Sequence, residues 1–238
     1  MKKQWCLVGL LIVCLLIAAR PNTDVAADAT AQIADTPRYA ALTFDDGPKR
    51  STTERLLDGL QQRGAKATFF VIGQEIAGNE DLLQRMKADG HQIGNHTWGH
   101  VRAENVGEKA FLQDVQRTNE ALSEVVGEEA FWLRPPYGFV TEEMRRDLTV
   151  PIINWSVDSR DWESRNKKTT IDAVMEAVHP GSIILLHDIY PTSVDAALEI
   201  ADRLMGQGYE LVTVRELLAR SGITPEPGQV YRSGAEKN

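Results

Sequence analysis

Residues 39–48 are YAALTFDDGP, a short apolar run that ends in two adjacent carboxylates. The apolar, β-branched and aromatic side chains of Tyr39–Phe44 predict a buried strand. Asp45 and Asp46 follow it at once and point in different directions, so one can bind a metal while the other accepts a proton. A Gly-Pro pair then predicts a rigid turn, although Asp-Asp-Gly-Pro is also a common surface turn.

The same unit, an apolar strand followed by an amphipathic helix, recurs along the chain. We predict strands at Tyr39–Phe44, Ala67–Ile72, His91–Gly94, Phe131–Arg134, Ile152–Val157, Ser182–Leu186 and Glu210–Val214. We predict helices at about residues 51–63, 79–89, 107–126, 141–148, 169–178, 192–207 and 215–220. About seven parallel strands alternating with helices predict the α/β class, as a barrel or a doubly wound sheet.

The two ends of the chain differ from this body. Residues 1–29 have two lysines directly after Met1, continue with the apolar run Trp5–Ala19 and end in small residues, which predicts a secretory signal peptide or an uncleaved signal anchor. Residues 30–37 are predicted to be a spacer, and residues 38–220 a single catalytic domain. The prolines and glycines of residues 221–238 predict a loosely ordered tail.

Charge and cysteine content restrict the classes of function. The 238-residue chain has a formal net charge of −8 and no basic patch, so nucleic-acid binding is not expected. An acidic protein gains no electrostatic steering toward an anionic polymer, so neutral sugar segments are the favoured partner. Cys6 and Cys14 both lie in the predicted leader, so neither a disulfide nor thiol chemistry is expected in the mature domain.

Two histidines follow the third predicted strand in the segment His96-Thr97-Trp98-Gly99-His100. Residues four apart on one helical turn face the same side, so the two imidazoles can bind one metal ion. A single histidine here is better explained as a structural residue; the pair favours a metal site.

Three more polar clusters follow predicted strands. They are RPPYG at residues 134–138, DSRDW at residues 158–162 and LLHD at residues 185–188. Catalytic residues of parallel α/β folds lie after the carboxyl ends of the strands, where these clusters are placed. Together with the two clusters above they predict one site.

The five clusters TFDDGP, HTWGH, RPPYG, DSRDW and LLHD, in this order, resemble the motifs of the polysaccharide deacetylases, carbohydrate esterase family four. The resemblance covers roughly residues 38–220. It implies a single distorted (β/α) barrel, often of seven strands. It also implies metal-dependent hydrolysis of acetyl groups from a polysaccharide.

The resemblance assigns the metal and the base. It implies that Asp46, His96 and His100 bind the metal, that Asp45 is the general base and that Arg134 orients this base. Two imidazoles and one carboxylate suit Zn²⁺, and the same donors also bind Co²⁺, Mn²⁺ or Ni²⁺.

The resemblance also assigns the opposite side of the site. The backbone N–H of Tyr137 is implied as an oxyanion donor, and His187 as the general acid, paired with Asp161. Trp162 and Leu185 are implied as walls of the pocket for the acetyl methyl group.

The expected substrate is an extracellular polysaccharide, first of all N-acetylglucosamine of peptidoglycan or of a chitin-type oligomer. An O-acetyl esterase acting on xylan, a non-catalytic sugar-binding module and a structural zinc protein remain as alternatives. The export signal predicts a secreted or cell-envelope protein of a bacterium. We expect a monomer, in contact with the membrane only through an uncleaved leader.

Overall fold

The computed structural model describes residues 37–127 and 130–235. The predictions for the leader and for the spacer up to residue 36 lie outside these residues. In the part of the chain that is described, no helix combines the length and the apolar character needed to cross a membrane.

The strands are β1 (Arg38–Asp45), β2 (Ala67–Val71), β3 (Gln92–Asn95), β4 (Ile152–Ile153), β5 (Val157–Asp158), β6 (Ile183–His187), β7 (Tyr209–Leu211) and β8 (Val230–Tyr231). The helices are α1 (Arg50–Arg63), α2 (Glu80–Ala88), α3 (Glu108–Val126), α4 (Glu142–Asp147), α5 (Asp161–Ser164), α6 (Lys167–Ala177), α7 (Pro191–Gly206) and α8 (Val214–Arg220).

The α/β fold with parallel strands is confirmed, whereas a closed barrel is not found among the described residues. The main sheet has the order β3-β2-β1-β6-β5, β7 pairs with the start of β1, and β4 and β8 form a second, two-stranded sheet. All of these strand pairs are parallel. Isolated bridges join Leu133 to Asn95 and to Ile152, and so link the two sheets.

Two of the predicted strands differ from the structure for a common reason. The predicted strand Phe131–Arg134 is reduced to the bridges at Leu133, and the predicted strand Ile152–Val157 is divided into β4 and β5. Within this stretch the chain changes partner, because β4 pairs with β8 whereas β5 pairs with β6. A change of partner is set by distant backbone, which a local pattern of side chains does not reveal.

The predicted loosely ordered tail is wrong for residues 221–235. Strand β8 pairs with β4, and Ser233 forms a bridge with Ser182. The backbone N–H of Gly228 donates to the carbonyl of Val150 at 3.0 Å. Main-chain hydrogen bonds to distant segments hold these residues in place. The proline and glycine content of the sequence does not reveal such bonds.

Strand β1 lies in the middle of the main sheet, and its residues from Ala40 to Asp45 are buried. Helix α1 packs its buried leucines Leu56, Leu57 and Leu60 into the same hydrophobic core as this strand. The helix ends at Gly64, whose φ of 62° is a left-handed conformation that glycine adopts without steric cost.

Parallel pairing brings the carboxyl ends of β1, β3 and β6 to one edge of the sheet. Asp45 at the end of β1 is in register with His187 at the end of β6. His96 follows β3 directly, and its backbone N–H donates to the carbonyl of Val71 at the end of β2 at 2.9 Å. This edge therefore collects the ionisable side chains that the sequence places after separate strands.

Candidate active site

Asp46, His96 and His100 converge just beyond this edge. The Nε2 atom of His96 lies 3.5 Å, and that of His100 3.4 Å, from Oδ1 of Asp46. Their three donor atoms all lie within 4.8 Å of one another. Asp46 and His100 have φ angles of 72° and 54°, the left-handed conformation that non-glycine residues adopt mainly at special sites. These residues form a candidate metal-binding triad.

The donor set fits a divalent cation. Within the described ranges Oδ1 of Asp46 is buried and lacks a hydrogen-bond partner, since its contacts with the imidazoles are long. Burial alone raises the pKa of Asp46, but the nearby imidazoles of His96, His187 and His100 outweigh it and lower this pKa to about 2. A carboxylate that stays charged beside two imidazole nitrogens is a site for a transition metal.

The histidines are oriented toward this position by their own contacts. Nδ1 of His96 lies 2.7 Å from the carbonyl oxygen of Arg134, so this nitrogen donates and Nε2 is left to face the triad. The ring of His100 packs edge-on against the rings of His96 and Tyr137, with centroid distances of 5.1 and 5.0 Å. Burial, followed by the neighbouring His96, lowers the pKa of His100 and favours the neutral form that a metal binds.

Asp45, the other carboxylate of the pair, is held by Arg134. A guanidinium N–H of Arg134 donates to Oδ1 of Asp45 at 2.7 Å, and both side chains are buried. The other carboxylate oxygen faces the triad, 3.7 Å from Nε2 of His96. Asp45 therefore presents one free oxygen to the place where a metal and a water would lie.

Burial of the Arg134 guanidinium is compensated by hydrogen bonds. It also donates to the hydroxyl of Thr43 at 2.7 Å and to the carbonyls of Ile153 and Asn154 at 3.0 and 3.1 Å. The guanidinium carbon of Arg134 lies 4.1 Å from the centroid of the Phe70 ring. A buried ion pair of this kind is tolerated only when the guanidinium is also hydrogen-bonded, and here each of its three nitrogens has an acceptor.

On the opposite side of the site, Asp161 binds His187 twice. Its Oδ1 accepts from Nδ1 of His187 and its Oδ2 from the backbone N–H of His187, both at 2.8 Å. Oδ1 also accepts from the backbone N–H of Trp162 at 2.8 Å. Asp161 is the first residue of α5 and is fully buried, so the imidazole is fixed by a rigid group.

The electrostatics of this pair keep His187 protonated. Burial alone lowers the pKa of His187, but Asp161 beside it, assisted by Asp45 and Asp46, outweighs burial and raises this pKa to about 9. Burial likewise opposes ionisation of Asp161, yet its bond to His187 lowers the pKa of this carboxyl. The pair is therefore an imidazolium and a carboxylate at neutral pH.

These groups surround one open cavity of about 420 Å³. Of the predicted site residues, those that line it are Asp45, Asp46, His96, His100, Tyr137, Trp162, Leu185 and His187. Arg134 and Asp161 lie behind the lining residues, bonded to Asp45 and His187. All ten predicted residues thus line one cavity or lie directly behind its lining.

Two of the aromatic residues that line the cavity are exposed. Tyr137 is 52% exposed and Trp162 is 45% exposed, whereas Leu185 is buried. Tyr137 has φ 61° and ψ 8°, a left-handed conformation inside the turn Pro136–Gly138. Exposed rings at a cavity mouth offer flat apolar faces to a ligand.

Five further lining residues have no predicted role: Arg102, Trp155, Asp158, Arg165 and Tyr190. Asp158 lies inside the DSRDW motif, and the two arginines follow HTWGH and DSRDW within three residues. Proximity to these motifs is the only sequence signal that could have found them.

Asp188 is another group that sequence reasoning passed over, although it ends the LLHD motif. It is fully buried, accepts a hydrogen bond from the hydroxyl of Thr53, and its Oδ1 has no partner in the described part of the chain. Burial raises its pKa to about 7. The carboxyl packs so closely on Gly47 that no side chain fits there, so it shapes the turn after Asp46.

Comparison with known proteins agrees with this arrangement. A family model described as polysaccharide deacetylase matches residues 32–149. The chain is 42% identical over 180 residues to the peptidoglycan-N-acetylmuramic acid deacetylase PdaC of Bacillus subtilis, covering 76% of this chain and 38% of that protein. It is 38% identical over 184 residues to a peptidoglycan-N-acetylglucosamine deacetylase of Listeria monocytogenes, covering 77% and 40%.

Solved structures show the same likeness. The structure of peptidoglycan deacetylase PdaC from Bacillus subtilis matches with a TM-score of 0.75 at 41% identity, over 76% of this chain and 90% of that one. A family 4 acetyl xylan esterase from Clostridium thermocellum, in complex with a cobalt ion, matches with a TM-score of 0.78 at 32% identity, over 82% and 98%.

The chain belongs to the polysaccharide deacetylase family. It spans about two fifths of the length of the curated relatives with which it was compared above.

Proposed function

We propose that this protein is a metal-dependent deacetylase that hydrolyses the acetamide of N-acetylglucosamine in peptidoglycan or in chitin-type oligomers. The observation that carries the proposal is the composition of one cavity. The cavity contains the candidate metal triad together with the carboxylate of Asp45, which is bound to Arg134. It also contains the imidazole of His187, which is bound to Asp161. The names of the peptidoglycan deacetylases similar to this chain support the substrate class.

Asp46, His96 and His100 would hold the metal, for which we propose Zn²⁺, with Co²⁺, Mn²⁺ or Ni²⁺ as substitutes. A bound divalent ion supplies Lewis-acid chemistry: it acidifies water and polarises a carbonyl oxygen. The three protein donors leave positions open for water and substrate, as catalytic rather than structural sites do.

Asp45 is proposed as the general base. Its free oxygen faces the triad, and its other oxygen is bound to Arg134, which fixes the direction of the carboxylate. A base must lie within hydrogen-bond reach of the proton that it removes, here a proton of the attacking water. The hydrogen bond from the guanidinium holds the free oxygen of Asp45 on the side of the triad.

His187 is proposed as the general acid. Its Nδ1 is bound to Asp161, so Nε2 is the nitrogen that can give a proton to the departing amine. The raised pKa, about 9, keeps that proton in place at neutral pH. The backbone N–H of Tyr137 is proposed to stabilise the oxyanion, and Trp162 and Leu185 to enclose the acetyl methyl group.

The cellular setting is part of the proposal. Residues 1–29 would direct export, as a cleaved signal peptide or as an anchor, and the protein would act in the bacterial cell envelope or as a secreted protein. We propose that it works as a monomer on a polysaccharide, without nucleic acid as a partner.

Hydrolysis of O-acetyl esters on xylan is the second candidate function. The likeness to the acetyl xylan esterase of Clostridium thermocellum favours it, because the fold match is as good as that to a peptidoglycan deacetylase. The same base, acid and metal donors would serve, since an ester and an amide pass through similar tetrahedral intermediates.

Acetate release distinguishes these functions. The purified chain is incubated with N-acetylglucosamine oligomers, peptidoglycan or acetylated xylan, after chelation and after Zn²⁺ or Co²⁺ is restored. We expect metal-dependent acetate from the two N-acetylated substrates. Acetate from xylan alone would establish the second candidate. Binding of a glycan with no acetate from any substrate, in the folded and metal-loaded protein, would reject both.

A further inference from the structure

We propose that Arg102 and Arg165 form a two-sided cationic clamp that binds carboxylates of the polysaccharide next to the sugar that reacts. The proposal rests on the proposed function and identifies residues that select a carboxylate-bearing glycan over a neutral one.

Arg102 lies on the metal side of the cavity. Its guanidinium carbon is 3.6 Å from the centroid of the Tyr137 ring, and that ring in turn contacts His100 at 5.0 Å. The side chain is exposed, and it lines the cavity. Stacking fixes the plane of the guanidinium and leaves its N–H donors free at the edge of that plane.

Arg165 occupies the equivalent place on the His187 side. Its guanidinium carbon is 3.2 Å from the centroid of the Tyr190 ring, and the Tyr190 ring is 6.3 Å from that of His187. Its Nε donates to the carbonyl of Trp162 at 2.7 Å, and its φ of 46° is left-handed. This conformation ends helix α5, where the backbone N–H of Arg165 donates to the carbonyl of Asp161, so the position of Arg165 is fixed by the helix.

Neither guanidinium is neutralised by the protein. Within residues 37–127 and 130–235, no carboxylate forms an ion pair with Arg102 or Arg165, whereas arginines such as Arg50 and Arg63 are paired with aspartates. Asp158 also lines the cavity, but its Oδ1 accepts from the backbone N–H of Arg160. Two stacked, unpaired arginines are therefore available to an external anion.

A carboxylate is the ligand that this geometry favours. The guanidinium fork matches the two oxygens of a carboxylate, and the preformed stack reduces the entropy lost on binding. A protein with a net charge of −8 repels an acidic polymer at long range, so local cations are needed to bind one. Arginines on both sides of the candidate metal triad suit a polysaccharide in which acidic sugars recur along the polymer.

The test compares three glycans. The first is a neutral N-acetylglucosamine oligomer. The second is peptidoglycan glycan freed of peptide stems, in which every muramic acid carries a lactyl carboxylate. The third retains the stems, so its carboxylates lie on peptides instead. Steady-state acetate release gives kcat and KM for the wild type, Arg102→Gln, Arg165→Gln and the double variant.

Arg215→Gln is the matched control. Arg215 also lies over an aromatic ring, 5.3 Å from the centroid of Trp132, but it does not line the cavity. It changes the net charge by the same amount as either test substitution, so it corrects for long-range electrostatics.

We expect KM for the acidic glycan to rise about threefold in each single variant and about tenfold in the double variant. The kcat values, the KM for the neutral oligomer and all values for Arg215→Gln should stay near wild type. Added salt should weaken the wild-type preference for the acidic glycan and leave the double variant nearly unaffected. A lower wild-type KM for the second glycan than for the third would assign the lactyl carboxylates as the ligand. A lower KM for the third glycan would assign the carboxylates of the peptide stems.

Equal changes of KM on neutral and acidic glycans, or an equal effect of Arg215→Gln, would overturn the clamp. If the wild type releases no acetate at all, the proposed function fails, and calorimetric binding of the same glycans then decides the clamp independently. Equal affinity of the wild type and the double variant for the acidic glycan would reject it.

Discussion

Replacing Asp161 with asparagine should lower the pKa of His187 and move the alkaline limb of the pH–rate profile to lower pH. The two carboxylate oxygens of Asp161 accept from Nδ1 and from the backbone N–H of His187, both at 2.8 Å. Asparagine offers one oxygen and one NH₂ group, so one of these two N–H donors would face another donor. The substitution removes the negative charge beside the imidazolium and one of the two hydrogen bonds between residues 161 and 187.

The magnitude follows from the pKa of His187, which rises from 6.5 to about 9. A rise of this size corresponds to roughly 3 kcal/mol in favour of the imidazolium. Asp161 supplies most of this rise in pKa, and the charges of Asp45 and Asp46 supply the rest. A cation bound at Asp46 would offset part of the contribution of these two carboxylates. We therefore expect the limb to move by about one to two pH units, and kcat at pH 8 to fall by about twofold to tenfold.

The assay is kcat for acetate release between about pH 5 and pH 10, together with an NMR titration of the His187 ring. Asp158→Asn is the matched control, because Asp158 lines the same cavity and, in the described part of the chain, forms no hydrogen bond or ion pair with His187. It should leave the alkaline limb in place. A wild-type limb near pH 6.5, or the same limb in both variants, would refute the assignment of His187 as an acid maintained by Asp161.

The raised pKa also sets a pH dependence of stability. Because the folded-state pKa of His187 lies above its ordinary value, its contribution to the free energy of unfolding is complete below about pH 6.5. That contribution is lost as the pH rises through about 9. Denaturant unfolding of the wild type should weaken over this interval, and Asp161→Asn should show a smaller decline.

Three further substitutions test the remaining parts of the site. Asp45→Asn should retain bound metal and lower kcat by about a hundredfold or more, because a general base is removed while the donors of the triad remain; metal analysis and acetate release measure this. His96→Ala should lose both metal and turnover, since it removes a triad donor. Arg134→Met should lower the free energy of unfolding by about 3 to 5 kcal/mol, because the buried Asp45 loses its partner.

Each of these has an outcome that contradicts it. Turnover of Asp45→Asn equal to wild type would remove Asp45 from the role of base, and full metal content in His96→Ala would remove His96 from the triad. Arg160→Met is the control for Arg134→Met, because Arg160 forms an exposed ion pair with Glu163 and should contribute far less. Equal unfolding curves for the two arginine variants would show that the buried pair does not stabilise the fold.

The pattern of apolar side chains in the sequence was sufficient to predict the most regular strands and helices. The strand predicted at Tyr39–Phe44 is found as Arg38–Asp45, and the helix predicted at residues 107–126 is found as Glu108–Val126. Both elements bury one continuous set of apolar residues, and that regularity is encoded locally. The positions of the motifs after strands predicted that the polar clusters share one site, and the family resemblance then singled out Asp46, His96 and His100, whose donor atoms do lie close together.

The tertiary structure decided everything that depends on distant backbone. The pairing of Ile152 with Val230, the bridges at Leu133 and the absence of a closed barrel among the described residues follow from which segments lie side by side. No local periodicity specifies such pairing, because main-chain hydrogen bonds are the same for every residue except proline.

The electrostatic character of the site also required the structure. From the sequence alone, Asp161 and His187 are two ionisable residues 26 positions apart. Only their burial and the 2.8 Å contacts between them give the imidazole its raised pKa. The motifs thus determined which chemical groups the protein has, whereas the fold determined their distances and solvent exposure, on which a pKa depends most steeply.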